Sequence, residues 1–203
     1  MADQVDDTGV VRPARAEDAR AVAEVHVAGW RTGYRGLFPQ AYLDALDVDA
    51  HEQRWAQNIS GGLAVLVHVA ARLDDDRDDD GVDGFAAFGP ARDDDVPASA
   101  GEVYALYVHP DAWGRGAGGA LLAAAVGQLA QVGRQRHEGR EDAAPVLWAL
   151  EDNARARRFY AHQGWVEDGA RRRDERPGSG DVPGIAFTEV RYRLARSSLG
   201  LRR

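Results

Sequence analysis

Two residue types are missing from this chain altogether. Its 203 residues include no cysteine and no lysine, so all 25 basic residues are arginine. Without cysteine there can be no disulfide, no thiolate nucleophile and no thiolate metal site. Without lysine the Gly-Lys-Ser/Thr of a P-loop is excluded. No apolar run approaches the ~20 residues that a membrane-spanning helix needs. The opening MADQVDDTGV is acidic and lacks the apolar stretch of a secretory signal. A soluble, cytoplasmic protein with no membrane partner is the expectation. The six histidines show no H-E-x-x-H spacing, so no metal is expected. A formal net charge of −8 argues against general nucleic-acid binding and favours encounter with a cationic partner such as an amine. Much of the acidity falls in Asp74–Asp80 and Asp93–Asp95, which read as solvated hairpin loops that also inhibit edge aggregation. The alternative for those runs is attraction of the acceptor. A 44% hydrophobic content is enough for one sizeable core, and one domain is expected.

What is present is concentrated in VYALYVHPDAWGRGAGGALL, Val103 to Leu122. Alternating apolar positions up to Val108 predict a strand that Pro110 stops. Leu121, Leu122, Ala125, Val126 and Leu129 then recur at helical spacing. Between strand and helix lie Gly114, Arg115, Gly116, Ala117, Gly118 and Gly119. Glycines accept positive φ and let a backbone approach a ligand. A helix starting there turns unpaired N–H groups and its positive dipole end toward one point, which suits a phosphate. Gly114, Gly116 and Gly119 also satisfy G-x-G-x-x-G. A dinucleotide fold, however, needs those glycines directly after the strand and an acidic residue ending a second strand about 20 residues on. Here HPDAW intervenes, and the stretch near Glu138 is too polar for a buried strand. A tight turn ahead of a core helix would need one glycine, not four in six positions.

A second informative segment is Ala144–Trp165, APVLWALEDNARARRFYAHQGW. It reads as a short buried strand, then a helix with Asn153 as N-cap and Gly164 at the left-handed stop. Tyr160 lies two helical turns after Asn153, so both project from nearly one side. Taken singly, Asn153 only caps and Tyr160 only packs beside Phe159.

Taken together, the two segments resemble the GNAT superfamily of N-acetyltransferases. The family's acetyl-CoA loop, Q/R-x-x-G-x-G/A, aligns with Trp113 to Gly118, with Trp113 departing from the usual Gln or Arg. Its later strand, its Asn and its Tyr align with Val146–Leu150, Asn153 and Tyr160. The resemblance implies an α/β (α+β) GNAT fold, a mixed, mostly antiparallel sheet of six or seven strands flanked by helices. It would occupy residues 10–195, leaving 1–9 and 196–203 as flexible tails, in a monomer or homodimer. It also implies transfer of the acetyl group of acetyl-CoA to a primary amine by direct attack, without a covalent acyl-enzyme and without a metal. The Leu106 N–H would face the thioester carbonyl. Tyr107 belongs to the same cofactor-binding strand, and Val108 would pair with the pantetheine arm. Gly114–Gly119 would take the pyrophosphate.

Tyr160 is the candidate general acid, since a phenol ordinarily keeps its proton up to about pH 10. Asn153 would position the cofactor arm or a water. Glu102, fourteen residues before Gly116, stands where some lysine-acetylating members carry their base. Its alternative is a polar strand-start residue facing solvent, with water chains moving the proton. Trp30 and Tyr34 are candidates to line the acceptor pocket, with Phe38 and Tyr42 read as core and His26 as structural. The acceptor is expected to be a small amine. A protein N-terminus, as in ribosomal-protein acetylation, and a non-catalytic CoA-binding sensor are the alternatives.

The remaining order follows from periodicity. Val10–Arg15 reads as a strand and Glu17–Gly29 as a helix burying Ala21, Val22, Val25 and Ala28. A turn and a helix with Pro39 near its first turn occupy Trp30–Leu46, and Ala50–Ile59 is a further helix. Leu63–Ala71 and Val82–Gly89 pair around the acidic loop, and Glu102–Val108 leads into the glycines. Gly133–Ala144 is a polar connection. Trp165–Arg171 and Ile185–Leu194 are the last strands, with Pro177–Pro183 a loop between them and Ser197–Arg203 a frayed tail.

Overall fold

The computed structural model describes residues 9–70, 81–97, 99–136, 143–178 and 180–195. The acidic run Asp74–Asp80, half of the Gly133–Ala144 connection and nearly all of both tails lie outside the described residues. Seven strands form one sheet. They are β1 (Val10–Pro13), β2 (Ala64–Val69), β3 (Val82–Pro90), β4 (Gly101–Val108), β5 (Val146–Leu150), β6 (Trp165–Arg176) and β7 (Ile185–Leu194). The helices are α1 (Ala19–Gly33), α2 (Gln40–Asp44), α3 (Val48–Ser60), α4 (Ala117–Arg136) and α5 (Ala154–His162). The strand order is β1-β2-β3-β4-β5-β7-β6. β4 runs parallel to β5, while β1–β2, β5–β7 and β6–β7 are antiparallel, so the sheet is mixed as expected.

Two compact units are built on these elements. The first takes in the chain up to Gly29, Asp47–Ala87 and Ala105–Ala124; the second takes in Trp30–Leu46, Phe88–Tyr104 and the chain from Ala125 on. In the first, Val22, Ala23 and Val25 of α1 pack with Trp55 of α3 and with Val65, Val67 and Phe85 of the sheet. The buried arc of α1 is wider than a single 3–4 spacing: Ala23 and Val27 are buried, and Ala21 and Ala28 only half-buried. The helix also starts later than its sequence suggests, because Ala16–Asp18 form a 3-10 turn. Buried Asp18 holds that turn, accepting from the Arg15 amide at 2.6 Å and from the Arg12 guanidinium at 2.7 and 2.8 Å. α3 gains two residues at its start because Asp47 accepts from the Ala50 amide and caps it.

In the second unit β6 runs on to Arg176, well past the expected end at Arg171. The charged run RRRDER continues the strand with its charges paired: Arg172 with Glu189, opposite it in β7, at 2.7 Å, and Arg171 with Glu151, just past β5, at 3.0 Å. Gly169, at φ 90°, absorbs a register shift between Glu167 and Arg171.

Asp93 corrects the reading of a solvated loop, while Asp94 and Asp95 are exposed as expected. Arg191 of β7, 4% exposed, binds Asp93 at 3.1 Å, Asp95 at 2.6 Å and Asp168 at 2.8 Å. Trp148 adds its indole N–H to Asp93 at 3.0 Å. Hydrogen bonding to Arg191 holds the Asp95 carboxyl down at about 2. A lowered carboxyl stabilises the fold above the ordinary range near ~4, and that contribution fades as pH falls toward about 2. Arg191→Leu is expected to destabilise the protein by about 1–3 kcal/mol, because partly buried Asp93 and Asp168 lose the charge-assisted hydrogen bonds of their cation. Urea unfolding measures this; a loss below about 1 kcal/mol would show that Arg193 and solvent suffice for Asp168 and Asp93.

Candidate active site

The glycine loop belongs to the first unit and grows from the end of β4. The His109 amide donates to the Asp83 carbonyl at 2.7 Å, and Pro110–Ala112 make one 3-10 turn. Trp113 then folds its indole back, Nε1 donating to the Val108 carbonyl at 2.8 Å. The residue that departs from the family pattern is therefore a clamp between strand end and loop, a role its position in the motif gave no sign of. Gly114 and Gly116 follow at φ 79° and 94°. A Cβ at either would meet no atom within 4 Å, so backbone conformation and not crowding demands glycine there. Gly114, Arg115 and Gly116 are exposed, and Ala117 is buried at the start of α4. The first intrahelical bond runs from the Ala120 amide to the Gly116 carbonyl at 3.0 Å. The amides of Ala117, Gly118 and Gly119 thus precede the ladder and form its donor-rich end. Open space beside exposed glycines at that end fits a pyrophosphate.

In β4 the side chain of Tyr107 belongs to the core of the first unit. It stacks on Phe85 at 5.6 Å, lies 4.6 Å from the His26 ring, and would be 3.0 Å from a Cβ at Gly29. Its main chain is what it can offer a ligand. Leu106 and Val108 flank it, both half-buried. His26 accepts at Nδ1 from the Trp55 indole at 3.1 Å. An indole only donates, so the neutral ring carries its proton on Nε2. This is a packing role, as its sequence context suggested.

The other candidates belong to the second unit. Glu102, 1% exposed, does not face solvent. Its Oε1 accepts from Arg92 Nη2 at 2.5 Å, and its Oε2 from Arg92 Nε and the Arg92 amide, both at 3.1 Å. The same guanidinium lies 4.3 Å above the Tyr104 ring. The solvent-facing alternative is overturned, and a base role now requires the Arg92 pair to open. Asn153 caps α5, its Oδ1 accepting from the Ala156 amide at 3.0 Å. Tyr160, 9% exposed, lies near Phe159 at 5.3 Å and Tyr192 at 5.8 Å. α5 is fixed by Arg157, which donates to Glu167 at 2.6 Å and to the Glu151 carbonyl at 3.0 Å.

Trp30 and Tyr34 form one cluster with Phe38 and Tyr42. Trp30 meets Tyr34 edge-on at 4.8 Å and Phe38 at 5.7 Å. Burial does not divide them as expected: Trp30 and Phe38 are buried, Tyr34 and Tyr42 half-buried. Phe187 joins at 5.4 Å from Phe38, and the Arg176 guanidinium covers Trp30 at 5.1 Å and Phe187 at 5.7 Å. Neither was singled out from sequence, because only the strand register brings β6 and β7 to this cluster.

Comparison with known proteins agrees with this architecture. The acetyltransferase (GNAT) domain family matches residues 67–167. An uncharacterized N-acetyltransferase of Bacillus subtilis (strain 168), YuaI, is 34% identical over 144 residues, covering 70% of this chain and 72% of the relative. The chain belongs to the GNAT acetyltransferase family, and is an acetyl-CoA-dependent acyltransferase. Solved structures share the fold. A GCN5-related N-acetyltransferase from Rhodopseudomonas palustris superposes with TM-score 0.58 at 23% identity, covering 94% of this chain and 98% of its own. PaiA N-acetyltransferase from Thermoplasma acidophilum, solved in complex with coenzyme A, gives TM-score 0.58 at 17% identity, covering 89% and 96%.

Proposed function

We propose that this enzyme acetylates the primary amine of a small molecule by direct attack, holding the pyrophosphate of acetyl-CoA at Gly114–Gly119. The observation that carries the cofactor assignment is the pair of positive-φ glycines leading into the N-terminus of α4. When bound, acetyl-CoA supplies an activated acyl carbon and a thiolate leaving group. The chain's own groups do the rest. The Leu106 amide donates to the thioester oxygen, and the main chain at Tyr107–Val108 aligns the pantetheine arm, with the Val108 carbonyl fixed by Trp113. Tyr160 gives its phenolic proton to the departing sulfur. The Asn153 oxygen already accepts the cap bond, and its carboxamide N–H groups are the donors it can offer the cofactor arm or a water. Water takes the amine proton, and Glu102 tethers Arg92.

This assignment of Glu102 has a direct test. Glu102→Gln is expected to cost about 1–3 kcal/mol of stability, from lost charge-assisted hydrogen bonds, while leaving the acidic limb of the pH–rate profile in place. Loss of that limb with stability unchanged would make Glu102 the base. The function itself is tested by screening amines and peptide N-termini with acetyl-CoA and following free thiol release. Turnover on small amines supports the reading. Turnover on peptides alone makes the protein an N-terminal acetyltransferase, and CoA binding without turnover makes it a sensor.

A further inference from the structure

The β6–β7 hairpin carries six described arginines, and five of them hold a carboxylate. Arg171, Arg172, Arg173, Arg191 and Arg193 each have a carboxylate oxygen within 3.1 Å. Arg176 differs. Its nearest carboxylate among the described residues is Asp174 at 3.9 Å, beyond hydrogen-bond length, and its side chain is 47% exposed. The contrast with Arg172 is informative, because the two share a strand face and each lies over an indole. Arg172 covers Trp148 at 4.3 Å and donates its Nε to Glu189 at 2.7 Å, whereas Arg176 covers Trp30 and Phe187 and has no carboxylate within hydrogen-bond length among the described residues. Ring faces beneath a guanidinium fix its plane and leave the in-plane N–H groups directed outward, the geometry that grips a carboxylate by two bonds.

We propose that Arg176 is a carboxylate-recognition residue of the acceptor site, so that the acceptor is an amine that also carries a carboxylate. This rests on the reading that Trp30 and Tyr34 line that site. The apolar part of the acceptor lies on the aromatic cluster of Trp30, Tyr34 and Phe187.

The test compares apolar and aromatic α-amino acids with their amides, on wild type, Arg176→Gln and Arg176→Lys. Both acetyl transfer and thermal shift are read. Wild type is expected to prefer the acids by about 10- to 100-fold in kcat/KM, mostly through KM, the scale of a charge-assisted bidentate pair. In Arg176→Gln the acid-to-amide ratio falls toward one, and Arg176→Lys, which keeps charge without the fork, is intermediate. Equal treatment of acids and amides by wild type, or a preference that survives in Arg176→Gln, overturns the proposal. If no amine is acetylated but the acids alone still raise the wild-type melting temperature, and not that of Arg176→Gln, the carboxylate site stands. Acetyl transfer to small amines then fails by itself.

Discussion

Gly116→Asp abolishes the stabilisation of the protein by acetyl-CoA, and with it acetyl transfer. In the wild type, acetyl-CoA at 100 times its dissociation constant is expected to raise stability by about 2.7 kcal/mol. The expected loss has two separable sources. Gly116 has φ 94°, so any side chain there strains the backbone by ~1–2 kcal/mol. A Cβ there meets nothing within 4 Å, so the added carboxylate is not crowded out but stands in the open space given to the pyrophosphate. Gly116→Ala carries the strain without the charge and should keep a reduced shift. A shift in Gly116→Asp equal to that in Gly116→Ala would mean that no phosphate approaches this glycine. Equal shifts from CoA and NAD in the wild type would overturn the cofactor assignment altogether.

The loop was legible in the sequence because its information is local. Positive φ selects glycine within the segment itself, the following helix declares its period, and Asn153 sits directly before the helix that it caps. What escaped sequence reading depends on register. Glu102 finds Arg92 only when β4 folds back beside the preceding loop, and Arg191 meets Asp93 across nearly half the chain. Both partners lie in segments that look like ordinary solvated charge. The same holds for RRRDER, whose continuation as strand is decided by the carboxylates paired with it. Trp113 is a different case. The motif alignment marked it as a departure, but an indole closing onto the carbonyl of Val108 requires the turn geometry of Pro110–Ala112 to be known.

Tyr160→Phe is expected to separate chemistry from binding. The ring keeps its neighbours Phe159 and Tyr192, so the fold should hold with a loss of about 1 kcal/mol or less for one hydroxyl's hydrogen bonding. Removing a general acid costs typically about 10²–10⁴-fold. CoA thiolate is a tolerable leaving group even without a proton, which places the expected fall in turnover near about 10²-fold. The dissociation constant for acetyl-CoA should change little, because the proton is transferred only as the bond to sulfur breaks. The fall therefore belongs in kcat and kcat/KM together. Normal turnover would show that the hydroxyl is not the acid and that water protonates the sulfur. Loss of acetyl-CoA binding, or a fall in stability well beyond that of one hydrogen bond, would make Tyr160 a packing or ligand residue. That rival has a definite basis, since a ring that is 9% exposed between Phe159 and Tyr192 has reason enough to be aromatic, and only its oxygen distinguishes the two roles.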